Sequence, residues 1–175
     1  MRIKYVSHYS ILIALSVVTG YLIHFPILPV APYLLYDPGH IFILIAAFKF
    51  GPKDGIIMTF AYATLFVLLT GQGGPYGALM NFIATSGFVF VSSWIYFRKH
   101  DKNGALMGLF FGTLAMTVVM IPANLLITPL YLGVERSMVI QLLLPAIIPF
   151  NLLKGLISSV LTLLIYKRIS SWMQK

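Results

Sequence analysis

Residues 104–126 read GALMGLFFGTLAMTVVMIPANLL. Nothing in this stretch is charged, and its length matches the roughly 20 apolar residues with which a helix crosses a bilayer. A helix is also the form that satisfies its own backbone hydrogen bonds inside hydrocarbon. The rest of the chain has the same character. Of 175 residues, 59 % are hydrophobic and 9 % are charged, where soluble domains carry about 25 % charge. Twelve basic and four acidic residues cannot coat a water-soluble globule of this size. The sequence therefore predicts an all-α integral membrane protein. Six spans would use about 120 residues. That leaves short loops and a single transmembrane domain over residues 1–175.

The other spans lie on either side of this helix 5. Arg98–Lys102 is a polar connection, preceded by helix 4 over about Tyr76–Phe97 and a turn at Gly71–Pro75. Helix 3 covers about Asp54–Thr70. Gly51-Pro52 separates it from helix 2, His40–Phe50, which is short for a full crossing. Pro26, Pro29, Pro32 and Pro38 break any helix, so Pro26–Gly39 is a loop. Helix 1 covers about Ser7–Phe25. Its apolar run from Ile11 follows the basic Met1–Tyr5 but has no convincing small-residue cleavage site, and reads as a first span rather than a signal peptide. Beyond helix 5, where Pro122 is a candidate kink, Thr128–Ser137 is predicted as a loop. A segment from Met138 then meets Pro145 and Pro149 and continues as helix 6 to about Ile169.

The net charge of +8 is distributed unevenly. With the N-terminus in the cytoplasm, the inner ends hold Arg2, Lys4, Lys49, Lys53, Arg98, Lys99, Lys102, Lys167, Arg168 and Lys175, whereas the outer loops hold only Arg136. This bias predicts cytoplasmic N- and C-termini, hence an even number of spans, in a multi-pass protein of the cell membrane. Trp94, Tyr96, Tyr166 and Trp172 fall near the inner ends, where amphipathic aromatics settle. The positive charge is accordingly assigned to loops facing anionic lipid, not to nucleic acid.

Much chemistry is excluded. Without cysteine there are no disulfides, thiolate nucleophiles or cysteine metal sites. His8, His24, His40 and His100 have no metal-ligand spacing. Neither a Walker A motif nor a G-x-S-x-G elbow occurs. Asp37, Asp54, Asp101 and Glu135 all fall outside the predicted spans, so no carboxylate relay is apparent. The pattern points away from an enzyme and predicts a binding subunit that draws its energy from a partner.

Lys154 is the informative exception. Its charge costs about 2.5–3.5 kcal/mol at a bilayer centre. Thirteen residues before Lys167 place it about 20 Å from the inner surface, in the outer half of the core. Either its stem snorkels to the outer interface, or it faces an outer cavity and donates to a ligand. Asn151, three residues earlier, shares its helix face. Asn124 lies late in helix 5, about 30 Å from the inner end, and Asn81 lies near the outer start of helix 4. Each asparagine could equally serve an interhelical hydrogen bond, but together with Lys154 they outline an outward-facing polar pocket. Pro32–Pro38 adds rigid apolar and aromatic surface, unless Tyr33 and Tyr36 are only interfacial aromatics. On helix 1, Ser10 with Ala14 and Ser16 with Gly20 repeat small residues four apart, a spacing that permits close approach of an internal helix or another subunit.

Four stretches carry a family resemblance: Tyr36–Ile41, Phe48–Pro52, Gly77–Ala84 and Pro149-Phe150-Asn151-Leu152-Leu153-Lys154-Gly155, the last being the most specific. Over essentially its whole length the chain resembles the substrate-binding S components of energy-coupling factor (ECF) vitamin transporters, most closely the riboflavin-specific type. The resemblance implies a prokaryotic membrane subunit that binds riboflavin at its outer side. It also implies association with a transmembrane T subunit and two cytoplasmic ATPases, and toppling of the S component during transport. It implies no cofactor beyond the transported vitamin and leaves acceptance of FMN open. It further implies that Asn151, Lys154 and Asn124 hydrogen-bond the flavin, with loop contacts from Leu34, Leu35 and Tyr36. Asn81 joins them from its position on helix 4. The family's helix 1 docking motif has alanines four apart, and the matching positions here are Ser10 and Ala14. His40 stands where related proteins often carry an acid. An S component for folate or thiamine, or a small membrane enzyme or scaffold, are the alternatives.

Overall fold

The computed structural model describes residues 2–172. Lys175, counted above among the inner-end cations, lies outside the described residues. The described chain is helical: α1 Arg2–Leu22, α2 His40–Phe50, α3 Pro52–Thr70, α4 Gly74–Lys99, α5 Lys102–Leu132, α6 Arg136–Leu142 and α7 Ile148–Trp172. The exceptions are β1 Phe25–Pro26 and β2 Leu35–Tyr36, an antiparallel pair inside the α1–α2 loop with Phe25 opposite Tyr36. Among the described residues, four stretches are long and apolar enough to cross a membrane: Pro52–Thr70, Gly74–Lys99, Lys102–Leu132 and Arg136–Tyr166. Val6–Leu22 and His40–Phe50 are shorter apolar helices.

Several boundaries differ from the predicted ones. Helix 1 stops at Leu22, because Phe25 belongs to a strand. Helix α3 begins at Pro52, where a proline's missing N–H has no intrahelical partner to lose. Asp54, expected at the very start of helix 3 and counted among the acids outside the spans, sits in the first turn of α3. Gly74 and Pro75, expected in a turn, begin α4. Most of the predicted Thr128–Ser137 loop is also helical. Helix α5 contains both Pro122 and Pro129 and ends only at Gly133, whose left-handed φ of 66° and N–H bond to the Pro129 carbonyl close it. Between α6 and α7 a π-helical turn spans Leu143–Ile147, with the Ile148 N–H reaching the Leu143 carbonyl. Pro145, which cannot donate to an α-helical ladder, is taken up by this wider turn.

Ring contacts fix which ends lie together. Tyr9 of α1 meets Phe50 at the α2–α3 turn, 4.9 Å between centroids, and Phe48 meets Tyr96 of α4 at 4.7 Å and Tyr166 of α7 at 6.1 Å. This is the end with Lys49, Lys53, Arg98, Lys99 and Lys102. The α1–α2 loop, the Gly71–Gly73 turn and the start of α7 lie at the other.

Small residues set the helix spacing. Gly108 and Gly112 are four apart on α5. A β-carbon at Gly108 would meet the Ser92 carbonyl at 2.5 Å, and one at Gly112 would run into the Ser92 hydroxyl and the Phe88 carbonyl. On α1, Ser16 and Gly20 are buried and face inward, whereas Ser10 and Ala14 are exposed on another face. Gly112→Ala is expected to destabilise the protein by about 1–3 kcal/mol through overpacking, read as a lower Tm in detergent; an unchanged Tm would show that α4 and α5 give way freely.

Candidate functional site

At the end away from the basic turns lies a cavity of about 350 Å³, within the range of about 300–1,000 Å³ typical of small-ligand sites. Six segments wall it, among them the α3–α4 turn with Gln72 and Gly73. The α1–α2 loop contributes Tyr33, Leu34, Leu35 and Asp37. Phe66 comes from α3, Met80 and Asn81 from α4, and Met120, Asn124, Thr128 and Tyr131 from α5. Helix α7 adds Phe150, Asn151 and Lys154, just beyond the π-helical turn. Most of the wall is apolar or aromatic, and the asparagine amides and the ammonium come from α4, α5 and α7, with Asp37 on the loop.

Local helix geometry aims the amides. Asn124 Nδ2 donates to the Met120 carbonyl at 2.7 Å, and Asn151 Nδ2 donates to the Ile147 carbonyl at 2.8 Å. Each bond reaches one turn back and fixes the side chain while leaving a second N–H for a ligand. Thr128 donates to Asn124 Oδ1 at 2.9 Å, as Thr85 does to Asn81 Oδ1 at 2.9 Å.

Lys154 is 6 % exposed and does not snorkel to the surface; its ammonium lies 3.2 Å from Asp37 Oδ2. Asp37, read from sequence as a loop acid outside the spans, is 7 % exposed and is that cation's partner. Its Oδ1 accepts from the Tyr62 hydroxyl at 2.6 Å and from the Gly39 N–H at 3.2 Å. Burial alone would raise the Asp37 carboxyl, but the Lys154 ammonium and the adjacent His40 and Tyr62 side chains outweigh it and hold the group well below the usual carboxylate range. Removing one member of such a buried pair costs about 3–5 kcal/mol. His40 is buried beside it. The Ser158 hydroxyl donates to the Lys154 carbonyl, so its oxygen accepts from His40 Nε2–H at 2.5 Å.

Of the residues singled out from sequence, Leu34, Leu35, Asn81, Asn124, Asn151 and Lys154 line this one cavity. Tyr36 does not. It is 2 % exposed and packs between Phe25 and His40, with ring centroids 5.6 Å and 6.2 Å away. Adjacent strand residues point to opposite faces, so Leu35 reaches the cavity and Tyr36 supports the loop from behind. Asp37 was missed, although a buried cation calls for an anion and Asp37 and Glu135 are the acids nearest the cavity end of the bundle. Among the described residues no cluster of three or more His, Asp or Glu is arranged to hold a metal ion.

Residues 4–166 match the family description "ECF transporter, substrate-specific component". The chain belongs to the ECF transporter substrate-specific components. A Staphylococcus aureus protein named riboflavin transporter RibU is 32 % identical over 172 residues, covering 95 % of this chain and 90 % of that one. Bacillus subtilis riboflavin transporter FmnP is 28 % identical over 184 residues, covering 100 % and 96 %. Streptococcus thermophilus riboflavin transporter RibU is 32 % identical over 178 residues, covering 97 % and 84 %. The solved S component of a bacterial ECF transporter superposes with a TM-score of 0.86 at 30 % identity, covering both chains fully. As an ECF S component with several membrane-length apolar helices, the chain is a multi-pass protein of a prokaryotic cell membrane. Its family is a transporter's substrate-binding component.

Proposed function

We propose that this S component binds riboflavin in the cavity described above, as the capture subunit of an ECF-type importer. The observation that carries the reading is the union, in one cavity, of apolar and aromatic walls with the Asn124, Asn151 and Lys154 side chains. The isoalloxazine ring system is flat, apolar at one end and studded with donors and acceptors at the other. Leu34, Leu35 and Phe66 suit its faces and apolar end. Asn151, Lys154 and Asn124 suit the polar edge, and Asn81 adds a further amide. Buried polar groups of this kind reject analogues lacking the matching edge, because they would be left unpaired. Three relatives named riboflavin transporters support the choice of vitamin.

In this reading the chain is one transmembrane domain of six spans, with α1 and α2 as the short ones and α6–α7 as the sixth. The basic end and both termini face the cytoplasm, and the cavity faces out. A T subunit and two ATPases supply the energy, for which this chain carries no nucleotide motif. The exposed Ser10–Ala14 face of α1 is the docking surface for that module. Because the chain has no cysteine, orientation is directly testable. Ser137→Cys should react with a membrane-impermeant maleimide in intact cells, and His100→Cys only after permeabilisation; the reverse pattern would invert the protein.

The binding test is riboflavin fluorescence quenching by detergent-purified protein. Saturable one-to-one quenching at nanomolar riboflavin, without competition from thiamine or folate, is the expected result. Folded protein that leaves riboflavin fluorescence unchanged would reject riboflavin as the ligand.

A further inference from the structure

The α1–α2 loop brings Tyr33, Leu34 and Leu35 to the cavity, yet its internal structure is a two-residue strand pair and two single turns, closed by the Ala31 N–H on the Leu28 carbonyl and the Leu34 N–H on the Ala31 carbonyl. So short a hairpin does not hold itself together. What fastens it is its return limb. Asp37 Oδ1 accepts from Tyr62 of α3 at 2.6 Å, and its Oδ2 lies 3.2 Å from Lys154 of α7, so one carboxylate joins the loop to two helices. Two glycines on different elements make room for this junction. A β-carbon at Gly20 of α1 would meet the Tyr62 hydroxyl at 2.7 Å, and one at Gly39 would meet it at 2.6 Å. The fold thus keeps the space around a single hydroxyl–carboxylate bond clear from both sides.

We propose that Asp37 is a positioning residue for ligand capture, clamping the α1–α2 loop over the cavity and aiming the Lys154 ammonium into it. The proposal rests on the riboflavin-binding reading. An ammonium has three donors; Asp37 engages one and thereby orients the others toward the cavity that Lys154 lines. A clamp acts on a ligand that has already entered, so it slows escape more than entry, which is where affinity differences among variants of one site usually lie.

Stopped-flow quenching of riboflavin separates the two rates. Asp37→Asn is expected to raise the dissociation rate by about tenfold or more, the size of a lost hydrogen bond to a charged group, with association changed by less than about threefold. Tyr62→Phe removes one hydroxyl and keeps the ion pair. Tyr62 does not itself line the cavity, so its loss acts through Asp37; it is expected to raise dissociation about threefold to tenfold, and it decides the matter alone if Asp37→Asn does not fold. Wild-type dissociation rates in the folded variants, or an affinity loss located in association, would overturn the clamp. Wild-type protein that binds no riboflavin would instead remove the flavin reading on which the clamp stands.

Discussion

Replacing Lys154 with methionine is expected to weaken riboflavin binding by about tenfold to 150-fold and to lower the stability of the protein at the same time. Methionine keeps most of the side-chain volume and removes the ammonium. Loss of a hydrogen bond from a charged group accounts for about 1.5–3 kcal/mol of binding, at about 1.4 kcal/mol per tenfold. The stability loss has a separate origin. Asp37 is 7 % exposed and would be left without its cation, at about 3–5 kcal/mol. The two effects separate in the double variant Lys154→Met with Asp37→Asn. Removing both charges should recover much of the Tm while riboflavin affinity stays low. Titration and thermal melting on the same samples check this; recovery of affinity along with Tm would show that Lys154 serves the fold alone.

Asn151→Leu should give the contrasting pattern. The Asn151 side chain bonds only the π-helical turn just before its helix, at the Ile147 carbonyl, so its removal leaves no distant partner stranded and the Tm should barely move. A bound flavin, however, would lose its amide partner and keep an unpaired polar edge against an apolar wall. That costs about 1–3 kcal/mol, or about fivefold to 150-fold in Kd. Unchanged affinity would remove Asn151 from the contact set; a large drop in Tm would assign it to packing.

The membrane character, the succession of helices and the polar pocket were legible because each has a local signal. Uncharged runs of bilayer length mark helices, and a lysine between apolar neighbours is costly unless it has a use. Small residues four apart were an ambiguous signal: Ser16 and Gly20 face inward while Ser10 and Ala14 are exposed, and the Gly108–Gly112 pair that sets the α4–α5 contact was not singled out from sequence. Helix ends were less legible, since Pro129 and Pro145 look like stops. A proline removes only one donor, and a long helix absorbs it directly or through a π-helical turn. Least legible was the partnership of Asp37 with Lys154, 117 residues apart and joined only by the tertiary fold. The apolar wall had no signal at all. In a membrane protein Phe66 and Met120, which line the cavity, are the same residue types as Phe60 and Met138, which are exposed on the outside.

A structure of the protein with riboflavin bound tests the central claim most directly. The ring system is expected in the cavity between the α1–α2 loop and α7, with its polar edge within hydrogen-bond distance of Asn151 and Lys154. Riboflavin bound elsewhere, or in this cavity with its apolar end toward Lys154, would contradict it.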